Sequence, residues 1–239
     1  MGVIPMVDWV EEAVRLGLAR FNATYADAVD QLELRPLLKK CNPWRLRALG
    51  LKDCAEVVDR LVDDHMSSSV ESKFGSTFIE TVFGMAPGVI PSSVEGADFQ
   101  KGSALISIKS GANWGNNGQW KNLEVATTRA RKLFRNHPGR KDPDCVLGIA
   151  IGRGSRQRRD GVFPFRELRG QALWAWVGGE ADVYERIMVA VDRQAGAYEE
   201  KRADALRRLR ADMQQSFGLD GGMSVDWIKL NRFVSGESA

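Results

Sequence analysis

Glu95-Gly96-Ala97-Asp98-Phe99, followed by Ser107-Ile108-Lys109 and then Ser110-Gly111-Ala112-Asn113-Trp114-Gly115-Asn116, is the stretch that decides how this chain folds. Ala104-Leu105-Ile106-Ser107-Ile108 is β-prone and alternates, with Leu105, Ser107 and Lys109 on one face and Ile106 and Ile108 on the other. Asp98 stands just before Gln100-Lys101-Gly102-Ser103, which has the composition of a turn. Adjacent strands near 93–99 and 104–109 are therefore expected, the first ending in an acid and the second in a lysine. A carboxylate and an ammonium held together supply what metal-assisted phosphodiester hydrolysis needs: one holds Mg²⁺, the other stands near the attacking water and the scissile phosphate. On spacing alone, a surface hairpin with an exposed Asp and Lys is the better account.

Working outward, helical spacing and breakers predict helices near 6–20, 23–34, 53–65 and 73–84, with Arg35-Pro36 and Asn42-Pro43 interrupting the chain between them. After the strand pair, Trp120, Leu123, Thr127, Ala130 and Phe134 recur at helical spacing to about Arg135, which makes Trp120 a core residue. A strand is expected near 144–151, another near 171–177, then helices near 180–194 and 197–217 and a short closing helix. The order helix, strand, strand, helix, strand predicts an α/β fold with a central mixed β-sheet flanked by helices. No repeat or long linker divides the chain. One domain over 1–239 is expected, with a helical N-terminal region (1–66), a catalytic core (67–178) and a helical C-terminal region (179–239).

Asp98…Ser107-Ile108-Lys109 resembles the PD-(D/E)XK nuclease motif. Further blocks strengthen the likeness: Ser67-Ser68-Ser69, Phe74-Gly75…Phe78-Ile79-Glu80, Gly170-Gln171…Trp174-Ala175-Trp176…Gly178-Gly179 and Asp226-Trp227…Lys229-Leu230…Phe233…Ser235-Gly236. Taken in order, they resemble a type II restriction endonuclease family of that superfamily. The resemblance implies a restriction-endonuclease-like core, Mg²⁺ as cofactor, double-stranded DNA as substrate, a homodimer cutting both strands and a companion DNA methyltransferase. It also implies that Asp98 binds the metal, while Lys109 positions and helps deprotonate the water and stabilises charge on the phosphoryl group.

The chain departs from the motif in two places. Ala97 stands where proline is common, and Ser107 occupies the position of the second acidic ligand, where a hydroxyl is a poor substitute for a carboxylate around a hard cation. The resemblance extends to some relatives that carry serine there and recruit a glutamate from a neighbouring helix. Glu80 lies off the apolar stripe of Phe74, Phe78 and Val82 and ranks first for metal binding; Glu124, fifteen positions after Lys109, ranks second. Glu95 ranks third because a regular strand would point it away from Asp98. Ser107 would add a minor contact. Two rivals stay open: a repair or recombination nuclease that reads DNA structure, and a non-catalytic DNA-binding protein with a decayed site, which Ser107 favours.

Whole-chain charge is uninformative, since 34 basic against 31 acidic residues leave only +3. Distribution says more. Arg129, Arg131, Lys132, Arg135, Arg140 and Lys141 form one basic stretch, and Arg153, Arg156, Arg158 and Arg159 crowd a loop after the expected strand at 144–151. That loop suits phosphate grip or guanine reading as well as it suits a solvated surface. Asn113, Asn116 and Gln119, next to Lys109, are expected at the DNA. Cys41, Cys54 and Cys145 lack short pairings and are expected as reduced thiols, and two histidines are too few for an imidazole-based site. The amino terminus, with Asp8, Glu11 and Glu12, lacks a signal-peptide pattern, and no apolar run reaches about 18 residues. Cytoplasmic residence without a membrane is the expectation.

Overall fold

Asp98 stands immediately before a strand; it does not close one. The computed structural model describes residues 8–111, 114–136, 141–153, 165–194 and 199–236. Its sheet contains β1 (Val89–Pro91), β2 (Phe99–Lys101), β3 (Ala104–Lys109), β4 (Asp144–Ile149) and β5 (Arg166–Arg169). They lie side by side in chain order, the β1–β2 and β2–β3 pairs antiparallel and the β3–β4 and β4–β5 pairs parallel. The mixed α/β sheet flanked by helices agrees with the expected restriction-endonuclease-like architecture.

The strand expected over 93–99 is displaced. Between β1 and β2 the chain turns: the Val94 amide donates to Ser92 Oγ at 3.0 Å and the Ala97 amide to the Val94 carbonyl at 3.3 Å. Gly96 takes φ +95°, and a Cβ there would lie 2.6 Å from the Ala126 carbonyl oxygen. No other residue meets both conditions without strain. The hairpin therefore runs through Lys101 and reverses over Gly102 and Ser103, with Lys101 paired to Ala104. Because the strands are antiparallel, the entrance of β2 lies beside the exit of β3, away from the turn. A strand ending at Asp98 would have left that carboxylate opposite the start of β3.

Helix α6 (Asn117–Arg135) provides the crossover that a parallel β3–β4 pair requires. It covers the face carrying Leu105, Ser107 and Lys109. Leu105 packs with Val94, Ala130, Phe134 and Cys145, while Leu147 and Ile149 pack with Leu123. Trp120 is half-buried against this second cluster, a core position as its spacing predicts. Burial raises the Cys145 thiol to about 11, and all three cysteines are free.

On the opposite face the strand expected near 171–177 is a helix, α7 (Gly170–Gly178), directly after β5. Alternation of Trp174 with Trp176 suggests a strand, but the buried residues are Leu173, Trp174 and Val177, which share one side of a helix. Gly148 leaves room for Leu173, since a Cβ at 148 would come within 3.0 Å of it. The Trp174 indole donates to the Ala150 carbonyl at 3.0 Å, and Lys101 Nζ reaches from β2 to the Pro87 carbonyl at 2.9 Å and to the Val177 carbonyl near the end of α7.

Contacts gather the chain into two units, one of residues 1–21 and 73–195, the other of 22–72 and 196–239. The first holds the sheet, α6, α7, α8 (Val183–Gln194), a π-helical segment (Phe74–Ile79) and α5 (Glu80–Gly84). The second is helical, with α2 (Leu34–Leu38), α3 (Pro43–Ala48), α9 (Glu199–Phe217) and α10 (Trp227–Ser235). Helix α1 (Trp9–Asp30) is continuous where a break near 21–22 is expected, because Phe21, Tyr25, Ala26 and Val29 extend its buried stripe without a breaker. Helix α4 (Cys54–Lys73) likewise runs straight into the π-helical segment. Two basic residues of α9 pair with α4, Arg210 with Asp59 and Arg202 with Asp63. No described helix is long and apolar enough to cross a membrane.

Trp174→Phe keeps most of the packing volume but strips the Ala150 carbonyl of its indole donor. Denaturant unfolding is expected to show a loss of about 1–3 kcal/mol; wild-type stability would mean that this bond contributes nothing.

Candidate active site

The site is built on the open end of the β2–β3 hairpin. Phe99 pairs with Ile106, and one residue further out the Asp98 amide donates to the Ile106 carbonyl at 2.8 Å. Asp98 Oδ2 in turn accepts the Ile108 amide at 2.8 Å, so both backbone and side chain of Asp98 are tied to β3. Lys109, the last residue of β3, carries its Nζ 4.0 Å from the same Oδ2. Both groups stay accessible, with 28% of the Lys109 side chain and 43% of the Asp98 side chain exposed. The Lys109 carbonyl accepts the Ala150 amide at 2.8 Å, and Ala150 is the residue held by the Trp174 indole. This half of the site therefore rests on three strands and α7.

Glu80 arrives from the helical side. Three residues on along α5, Phe83 packs against Phe99 with ring centroids 5.3 Å apart, and a Cβ on Gly84 would stand 3.1 Å from the Phe99 ring. Residues three apart share a helix face, so docking Phe83 on the neighbour of Asp98 brings Glu80 toward Asp98. Just upstream, the π-helical segment packs on the residue after Lys109, where a Cβ on Gly75 would lie 2.9 Å from Ser110 Oγ. The Glu80 carboxyl is held above the usual glutamate range, first by partial burial and then by the negative charge of Asp98, with Lys109 opposing. Two carboxylates and one ammonium thus share a field.

The other candidates are placed differently. Glu124 is half-buried on α6, beside the core residue Leu123. Glu95 forms an ion pair with Arg129 at 2.8 Å. Ser107 is 9% exposed on the face covered by α6, with Leu147 beside it in β4. Asn116 and Gln119 form the capping box of α6: the Asn116 side chain accepts the Gln119 amide at 3.0 Å, and Gln119 Oε1 accepts the Asn116 amide at 2.9 Å. Their carbonyl oxygens are thereby committed, leaving side-chain NH₂ groups as donors. Arg153 is exposed just beyond β4, whereas Asn113, Arg156, Arg158 and Arg159 lie outside the described residues. The basic stretch on α6 is partly neutralised, since Arg131 and Arg135 pair with Asp142 and Arg129 with Glu95.

Sequence reasoning gave Trp114 no role of its own. Lys109 Nζ stands 5.5 Å from the centre of the Trp114 ring. The interval of five residues carries no signal by itself.

Among the described residues no group of three Asp, Glu, His or Cys side chains could hold a metal ion. Asp98 and Glu80 are two hard oxygen donors in mutual repulsion, a set that fits Mg²⁺, which commonly takes one or two carboxylates and completes its shell with water and phosphate.

No curated protein matches the chain. A family model described as Type II restriction endonuclease EcoO109I matches residues 8–199, a span that includes the whole sheet and Glu80, Asp98 and Lys109. The chain belongs to that family and is a type II site-specific deoxyribonuclease.

Proposed function

We propose that this protein hydrolyses double-stranded DNA at a short specific sequence with Mg²⁺, using Asp98, Glu80 and Lys109. The observation that carries the reading is the sharing of Asp98 Oδ2 between the Ile108 amide and the Lys109 ammonium at the accessible end of the sheet. Asp98 and Glu80 would hold the ion. When bound, Mg²⁺ supplies Lewis-acid stabilisation of the phosphoryl oxygens and a more acidic water. Lys109 orients the attacking water and offers positive charge where the phosphoryl group becomes more negative. Ser107, almost buried, contributes at most a minor contact, and Glu124 is the second choice for the added carboxylate.

Around this centre, Asn113, Asn116 and Gln119 contact DNA from the loop and cap that follow Lys109. Arg153, Arg156, Arg158 and Arg159 grip phosphates or read bases after β4. The reading treats 1–239 as one nuclease domain that acts as a cytoplasmic homodimer beside a protecting methyltransferase.

Incubation of purified protein with Mg²⁺ and a sequenced phage genome is expected to give discrete bands. A smear would favour a structure-reading repair nuclease, and binding without cutting a decayed site. Lys109→Ala should slow cleavage by about 10²–10³-fold or more while an electrophoretic shift of the cognate DNA persists. Cutting at the wild-type rate by this variant would refute the assignment.

At saturating Mg²⁺, Glu80→Gln should lose at least about 10²-fold in cleavage and Glu124→Gln no more than a few-fold. Full activity in both would end the idea of a recruited glutamate.

The raised Glu80 carboxyl also sets a stability dependence. A carboxyl that binds its proton more tightly folded than unfolded contributes least to stability when both states are ionised, so its contribution falls as pH rises from the ordinary glutamate range through the folded value. In metal-free protein, Glu80→Gln is therefore expected to melt above wild type near about pH 8 and level with it near about pH 3. Equal melting at both ends would remove the charge conflict from the site.

A further inference from the structure

We propose that Trp114 is a positioning residue for the Lys109 ammonium, an inference that rests on the reading of Lys109 as the lysine at the scissile phosphate. A lysine ends a long flexible stem; the partly exposed Asp98 carboxylate 4.0 Å away is beyond hydrogen-bond reach, and Glu80 adds its charge to the same field. Asp98 alone does not fix where the charge stands. The Trp114 ring supplies the second point: the ammonium lies 5.5 Å from its centre, within the range of cation–π attraction, and indole is the strongest of the aromatic partners.

The indole is itself held firmly. Trp120 meets it edge-on, with centroids 4.9 Å apart and planes at 68°, and Phe165 stacks on Trp120 at 6.4 Å. These rings pack on Leu123, Leu147 and Ile149, and Ile149 is the register partner of Lys109. The ring cluster and the lysine therefore grow from the same row of the sheet. Gly115 makes the approach possible: it adopts φ +101°, and a Cβ there would lie 2.7 Å from Trp120 Nε1. The Trp114 amide donates to the Gly111 carbonyl at 3.2 Å, and the Asn116–Gln119 capping box fixes the chain on the other side. Packing alone does not require the Trp114 ring to lie under the Lys109 ammonium that stands beside Asp98.

The test compares Trp114→Leu, Trp114→Phe and Lys109→Ala with wild type in single-turnover cleavage at saturating protein, alongside cognate DNA binding and thermal melting. Trp114→Leu should slow the cleavage step about tenfold with binding unchanged, and Trp114→Phe, which keeps an aromatic face, should recover most of that loss. Wild-type cleavage by Trp114→Leu beside an inactive Lys109→Ala would overturn the positioning role alone. Loss of cleavage, binding and melting temperature in parallel in both tryptophan variants would also overturn it, as the mark of a purely structural ring. Wild-type cleavage by Lys109→Ala would instead bring down the site assignment, and this inference with it.

Discussion

One hydrogen bond, from the Ile108 amide to Asp98 Oδ2 at 2.8 Å, joins the fold to its chemistry. It needs the entrance of β2 to lie beside the exit of β3, which only the antiparallel register through Phe99 and Ile106 provides. A one-residue slip would turn Lys109 to the other face of the sheet. The register is secured from both sides, by apolar packing of Leu105 beneath α6 and by burial of Ile106 and Ile108 on the opposite face. Charge placement at the surface is thus decided by residues in the interior.

The two carboxylates reach this point by unlike routes. Asp98 is carried on the backbone of the hairpin, whereas Glu80 is carried by a helix whose orientation depends on Phe83 against Phe99 and on the absence of a side chain at Gly75 beside Ser110. Partial burial first, and the negative charge of Asp98 second, raise the Glu80 carboxyl. Charges held this close are ones that folding alone would keep apart. Ser107, buried beneath α6, spares the interior a further negative charge.

Much of this was legible in the residues. The alternation of Ala104 to Lys109, the helical spacing from Trp120 to Phe134 and the neighbouring Asp98 and Lys109 all express local periodicity, which a chain carries wherever it is placed. Less legible were the turn at Ser92 to Ala97, where Gly96 answers to the distant Ala126 carbonyl, and the helix at Gly170 to Gly178, where Trp174 and Trp176 imitate a strand. The failures share a cause. Short apolar runs satisfy either period until it is known which side chains are buried.

The α/β class, the strand at Ala104 to Lys109 and the helix from Asn117 to Arg135 belong to the sequence alone, because hydrophobic period is a property of neighbours along the chain. Tertiary structure decided the rest: that Asp98 stands just ahead of β2, that Glu80 shares its field, that Glu95 is taken by Arg129, and that Trp114 lies under Lys109. Each of these depends on contacts between residues brought together only by packing, and the energy of such a contact is written in no local stretch of residues.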